Sequence, residues 1–135
     1  MKILVIHGQG GGIGKNVIEQ IKTKLSNAEV VAIGTNSTAT SNMLKAGADS
    51  AAKGENSVVV ACKNADVIIG PIGIIITDSM IGEITEVMSN AIARSEAYKI
   101  LIPVSKCQTC IAGLKESPIS KYIDDAIEII KTKML

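Results

Sequence analysis

The stretch Lys2-Ile3-Leu4-Val5-Ile6-His7-Gly8-Gln9-Gly10-Gly11-Gly12-Ile13-Gly14-Lys15-Asn16-Val17-Ile18 decides the fold. From Lys2 to Ile6 it is a continuous aliphatic run, the pattern of a strand buried on both faces of a parallel sheet. From about Gly14 to Ser26 it becomes a helix, with Val17, Ile18, Ile21 and Leu25 on one face and Lys15, Glu19, Lys22 and Lys24 toward water. Five glycines in the seven residues from Gly8 to Gly14 join the two. Strand, tight glycine turn and helix in this order form the opening unit of a doubly wound α/β domain.

Working outward, Glu29 to Ile33 reads as a second strand ended by Gly34, and Thr35-Asn36-Ser37-Thr38 offers N-caps for a short helix carrying Met43 and Leu44. Gly47 to Gly54 is small and polar and reads as a loop. Glu55 to Asn64 reads as a short helix despite Val58-Val59-Val60, because Ala65 to Pro71 is the better strand and follows closely. An amphipathic helix from about Gly82 to Ser95, with Ile84, Val87, Met88, Ala91 and Ile92 on one stripe, leads to a strand from Lys99 to Pro103.

Thr109 to Ala112 reads as a further short strand, too close behind Pro103 for a parallel crossover and therefore expected antiparallel at the sheet edge. Ser117 as cap and Pro118 at the first helical position open the last helix, whose buried face is Ile119, Tyr122, Ile123, Ala126, Ile127 and Ile130. The alternation predicts one Rossmann-like domain over residues 1–135. Its expected form is a three-layer sandwich around a mostly parallel sheet of four to five strands, with that short antiparallel edge strand.

Composition narrows the function classes. With 47% hydrophobic residues in 135, the chain can bury one core but not two. Fourteen basic and thirteen acidic residues leave a formal charge of +1, and the chain has two tyrosines, no phenylalanine and no tryptophan. A long-range field and stacking platforms for nucleic acid are both missing. The longest apolar stretch, Val67 to Ile76, is broken by Gly70, Pro71 and Gly73 and is too short to span a membrane. The apolar run before His7 is too short for a signal-peptide core, and three cysteines are an odd number; both lead to the expectation of a soluble cytoplasmic protein with reduced thiols.

The glycine run carries the chemistry. Gly8, Gln9, Gly10, Gly11, Gly12, Ile13 and Gly14 lie where backbone N–H groups and a helix N-terminus meet a phosphate without a Cβ in the way. Such binding requires those amides to face open space rather than internal partners. Read from Gly8 through Gly12-Ile13-Gly14, the run resembles the fingerprint of short-chain dehydrogenases. It lacks their Tyr-x-x-x-Lys pair, since Ile102 follows Tyr98 by four residues and Ala126 follows Tyr122. A P-loop fails too, with Gln9 and Asn16 where that pattern needs a glycine and a hydroxyl. The end of the second strand offers Gly34-Thr35-Asn36-Ser37 instead of the acid that holds a ribose. Thr35, Asn36 and Ser37 are candidates for a second phosphate contact or simply helix caps.

Loops beyond the carboxyl ends of parallel strands line the ligand crevice, which brings Pro71 and Gly73 into the candidate site. Asp78, Ser79 and Glu83 are the candidates for acid/base or hydroxyl-binding work, with turn or cap roles as the alternative for Asp78 and Ser79. Ile72 to Ile76 reads as an apolar oligomer contact unless it is core, so a homodimer is expected. His7 is a candidate proton carrier or a polar residue closing a strand. Cys107-Gln108-Thr109-Cys110 has half of a zinc spacing but no second pair, so no metal site is expected.

Taken together, Gly8 to Lys15, Gly34-Thr35-Asn36-Ser37 with Ala39-Thr40, Met43 to Ala48, Gly54-Glu55-Asn56, Ile69 to Gly73, Asp78-Ser79 and Gly82-Glu83-Ile84 resemble a family of small bacterial proteins known only as domain of unknown function 3842. The resemblance covers nearly the whole chain and implies a Rossmann-like fold without an established activity. Members of that family often carry an acidic residue at the position of His7, and Cys110 belongs to none of its motifs. The expected function is binding of a nucleotide or another small phosphate-bearing molecule through residues 8–14. The alternatives are a small enzyme using NAD(P) or another nucleotide, and a structural dimer without ligand.

Overall fold

The computed structural model describes residues 1–104 and 109–134. The aliphatic run after Lys2 is the central strand β1 (Lys2–His7), with Ile3 to Ile6 fully buried. Then follow α1 (Gly12–Lys24), β2 (Glu29–Gly34), α2 (Ser37–Lys45), β3 (Ser50–Lys53), α3 (Glu55–Ala61), β4 (Val67–Pro71), a 3-10 turn (Ile72–Ile75), α4 (Glu86–Arg94), β5 (Tyr98–Ile102) and α5 (Ile119–Lys133). The strands form one sheet in the order β3-β2-β1-β4-β5, and every pairing is parallel. Sheet growth reverses between β1 and β4, where Ile3 pairs with Val67 and Val5 with Ile69. The carboxyl ends of those two strands therefore flank the crevice where open α/β sheets take ligands.

The period of two along β1 splits the core into two layers. Ile3 and Val5 pack with Val17, Ile18 and Ile21 of α1, Ala39 and Met43 of α2, and Ile123, Ile127 and Ile130 of α5. Leu4 and Ile6 pack on the other side with Val58 of α3, Ile74, and Met88 and Ile92 of α4. This is the expected three-layer α/β architecture.

Four sequence expectations need correction. Gly47 to Gly54 is not a loop: Ser50-Ala51-Ala52-Lys53 is the edge strand β3, paired with β2 alone. Its entry is fixed by Asp49, whose amide donates to the Val30 carbonyl while its carboxylate accepts from the Val30 amide and from Lys22. The antiparallel strand at Thr109 to Ala112 does not form; residues 109–111 are irregular and 112–113 a turn. The helix expected from Gly82 begins only at Glu86, because Thr85 accepts the Met88 amide as its N-cap, and Val87 lies exposed beside the buried stripe. Pro118, not Ser117, is the N-cap of α5, and the Ser117 amide donates to the Tyr122 hydroxyl.

Ile72 to Ile76 resolves as partly core, with Gly73 and Ile74 buried and Ile72, Ile75 and Ile76 half-buried. Cys107 lies outside the described residues, while Cys110 is exposed and Cys62 is buried, its thiol pushed up to about 11 by burial. No helix among the described residues is long and apolar enough to cross a membrane.

The central strands carry the stability. Ile69 is fully buried in β4, so Ile69→Ala is expected to cost about 2–5 kcal/mol by urea denaturation. Val60 is half exposed on α3, and Val60→Ala should stay within about 0.5 kcal/mol of wild type.

Candidate functional site

Three loops converge at the carboxyl end of the sheet: residues 8–11 after β1, residues 35–36 after β2, and a strap of residues 77–85 between the 3-10 turn and α4. Glu83 of the strap joins them. Its Oε1 accepts from the Gln9 amide at 2.9 Å, from Asn36 Nδ2 at 2.8 Å and from the Thr35 hydroxyl. Asn36 caps α2 by accepting the Ala39 amide at 2.8 Å, and its Nδ2 also donates to the Gln9 carbonyl. Asn42 of α2 donates to the Gly10 carbonyl at 2.9 Å. The glycine loop is thus held from the α2 side by two asparagines and from the strap by one carboxylate.

The glycines divide into two kinds. Gly11 has φ +73, and a Cβ there would stand 2.9 Å from Ala39 Cα. A Cβ on Gly8 would meet Thr35 Oγ1, Met80 Sδ and Glu83 Oε1. These two are required by turn geometry and close approach. Gly10 and Gly12 are different: neither has a positive φ, and a Cβ on either would meet nothing within 4 Å.

The loop amides divide likewise. The Gln9 amide is taken by Glu83, that of Gly11 by the Gly8 carbonyl at 2.9 Å, and that of Gly14 by His7 Nδ1 at 3.3 Å. The amides of Gly10, Gly12 and Ile13 have no hydrogen-bond acceptor among the described residues. Gly12 and Ile13 start the thirteen-residue α1, so the helix dipole adds partial positive charge where those amides lie. Beside them a groove of about 420 Å³ runs between α1 and α5, lined by Gly12, Ile13, Asn16, Ile119, Ser120 and Ile123 among others. A second groove, of about 300 Å³ and lined by Met1, Leu25, Ala28 and Ile130, belongs to the amino end of the sheet, away from the loop.

The strap fills the crevice itself. Met80 stands close to both Gly8 and Gly73, and the Ser79 hydroxyl donates to the Gly73 carbonyl. The strap closes on itself through Asp78 N–H to the Ile84 carbonyl at 2.7 Å and Ile84 N–H to the Ser79 carbonyl at 3.2 Å. Asp78, Met80 and Ile81 have φ of 68°, 57° and 56°. Each left-handed non-glycine residue costs roughly 1–2 kcal/mol, most plainly for β-branched Ile81, which is 97% exposed.

Of the candidate residues, the structure gathers Gly8 to Gly14, Thr35, Asn36 and Glu83 directly, and Gly73 through Met80. Pro71 is buried at the end of β4, and Ser37 is exposed and accepts a bond from Lys53. Ser79 is buried and engaged with Gly73, whereas Asp78 is exposed in the strap. Met80 and Asn42 carry no sequence signal for their roles.

Two titratable groups are tuned here. Burial holds His7 below the ordinary histidine value, against a Gly11 backbone contact and the Glu83 field. With Nδ1 accepting from Gly14, the neutral ring carries its proton on Nε2. Burial acts to raise Glu83, but the bonds from Thr35, Gln9 and Asn36 and the His7 field outweigh it and hold the carboxyl below its ordinary value. As pH falls through about 6.5, the unfolded chain takes up the His7 proton before the folded one, so stability drops. Below about 4.3 the Glu83 contribution is lost as well. The urea midpoint of wild type should fall between pH 7.5 and 5.5, with a shallower slope in His7→Gln; Glu83→Gln should flatten only the more acid limb. Identical slopes in all three proteins would contradict this assignment.

The family model for a domain of unknown function, DUF3842, matches residues 2–135. Among solved structures, the chain is similar to a dodecameric FMN-dependent Ubix-like decarboxylase from Escherichia coli O157:H7. The identity is 11%, the alignment covers 100% of this chain and 95% of that one, and the TM-score is 0.49. No curated protein matches. The match over residues 2–135 means that this chain belongs to the DUF3842 family.

Proposed function

We propose that the open side of the glycine loop binds the phosphate of a nucleotide or a related phosphometabolite. The observation that carries this reading is the pair Gly10 and Gly12. The fold uses neither their conformational freedom nor their lack of a side chain, and the amides of Gly10, Gly12 and Ile13 have no acceptor among the described residues. Glycines that the fold does not need suit the close approach of something outside it, and unpaired amides at a helix start favour an anion. The adjoining groove of about 420 Å³ leaves the phosphate open access to those amides.

Glu83 limits where the phosphate sits. Its charge covers Gln9, so the seat is toward Gly12 and Ile13. The reading is one of binding: the Ser79 hydroxyl is already engaged within the strap. It goes with a cytoplasmic homodimer, whose mass sedimentation equilibrium measures directly.

Thermal shifts against NAD, NADP, ATP, FMN and sugar phosphates test the reading. A ligand at a hundred times its dissociation constant should stabilise the fold by about 2.7 kcal/mol. Gly12→Asp separates binding from folding. An acid in the first turn of α1 should leave the ligand-free melting temperature unchanged or slightly raised, yet abolish the ligand-induced shift. No shift from any ligand, or a shift that survives in Gly12→Asp, would refute the proposal.

A further inference from the structure

The non-glycine residues with left-handed backbone among the described residues are Gln9, Asp78, Met80 and Ile81. They fall in two loops that touch each other, Gln9 in the glycine loop and the other three in the strap, and the Glu83 bond to the Gln9 amide is the contact between them. Strain collected in two facing segments marks a place where a second arrangement lies close in energy. Between ends held by Thr77 on Ser89, by Thr85 on Glu55 and by the buried Ile84 side chain, the strap also has the form of a unit that can move. Its neck is closed by the bonds between Asp78 and Ile84 and between Ile84 and Ser79, and Gly82 N–H donates to the Asp78 carbonyl at 3.0 Å.

Its contacts with the rest of the site are of three kinds. The Ser79 hydroxyl moors it to Gly73, Met80 lies between the ends of β1 and β4, and Glu83 crosses to Gln9, Thr35 and Asn36. The last is a carboxylate bound to a loop amide and two side-chain donors, the kind of contact a ligand phosphate would make at the same loop. The tip is anchored by nothing comparable, since Ile81 is 97% exposed.

We propose that residues 77–85 form a latched lid over the crevice between β1 and β4, with Glu83 standing in for a ligand anion at the glycine loop until one displaces it. This rests on the reading of that loop as an anion seat and adds its regulation. A phosphate arriving at Gly10, Gly12 and Ile13 repels the carboxylate beside it. Once Glu83 leaves Gln9, Thr35 and Asn36, Met80 follows, and the crevice opens to the remainder of the ligand. The closed lid lowers apparent affinity by the fraction of molecules that are open.

The test uses full-length wild type, Glu83→Ala and Glu83→Gln, with amide hydrogen exchange followed by NMR and ADP binding followed by calorimetry. Release of the latch should speed exchange at the Ser79 amide, which donates out of the strap to the Ile76 carbonyl, by about tenfold or more in Glu83→Ala, while the neck amides of Gly82 and Ile84 and those of β1 stay protected. Apparent ADP affinity should rise about tenfold in Glu83→Ala, with Glu83→Gln between it and wild type. Unchanged exchange at the Ser79 amide in both variants would overturn the latch. Weaker ADP binding in Glu83→Ala would overturn it differently, making Glu83 part of the ligand's seat rather than its competitor. If neither wild type nor variants bind ADP and the thermal-shift panel is also silent, the anion-seat reading falls and takes ligand-driven opening with it, while exchange still judges the latch.

Discussion

One carboxylate oxygen holds the working end of this protein together. Glu83 Oε1 receives a backbone amide, a hydroxyl and a side-chain amide from two different loops, and its own segment supplies a third. A charged acceptor with several donors makes hydrogen bonds roughly twice as strong as neutral ones. Those bonds outweigh the burial that acts to raise the Glu83 carboxyl. The position of Gln9, the orientation of Asn36 at the start of α2 and the seating of Met80 between two strand ends all follow from this contact. Remove it, and the strap keeps its internal neck but loses its hydrogen bonds to the first two loops.

The sheet beneath supplies the frame. β1 lies in the middle, paired on both sides and buried on both faces, so its carboxyl end is among the best-determined points of the fold. His7 closes that strand from inside rather than facing outward as a free base. Burial keeps the ring neutral, and its Nδ1 takes up one of the first α1 amides. The glycine loop is therefore fixed from below by an imidazole, from the α2 side by two asparagines and from above by Glu83. Its outer edge, at Gly10, Gly12 and Ile13, has no acceptor among the described residues.

Much of the frame is legible in the order of residues, and the reasons are physical. The aliphatic run before His7, the glycine turn and the stripe Val17, Ile18 and Ile21 are strong local patterns, and Asn36 as the cap of α2 follows from local chemistry. β3 is hidden because Ser50-Ala51-Ala52-Lys53 is short and made of small residues, with no period to read; it exists because β2 has an open edge and Asp49 anchors the turn to Val30. The false strand at Thr109 comes from residues with extended propensity that stay irregular and do not join the sheet. Glu83 stands out as an acid near the crevice, yet its tie to Gln9 spans 74 positions in the chain and leaves no local trace. The role of Met80 is invisible for the same reason, and nothing in Met80-Ile81 foretells a left-handed backbone.

Ile81 has a further consequence. A β-branched side chain in the left-handed region, projecting into water, gains little burial in return for its conformational cost, and glycine or asparagine at that position would give a more stable monomer. The native residue therefore sits away from the thermodynamic optimum of the isolated chain. Such a departure from local preference falls where function, rather than foldability, sets the terms.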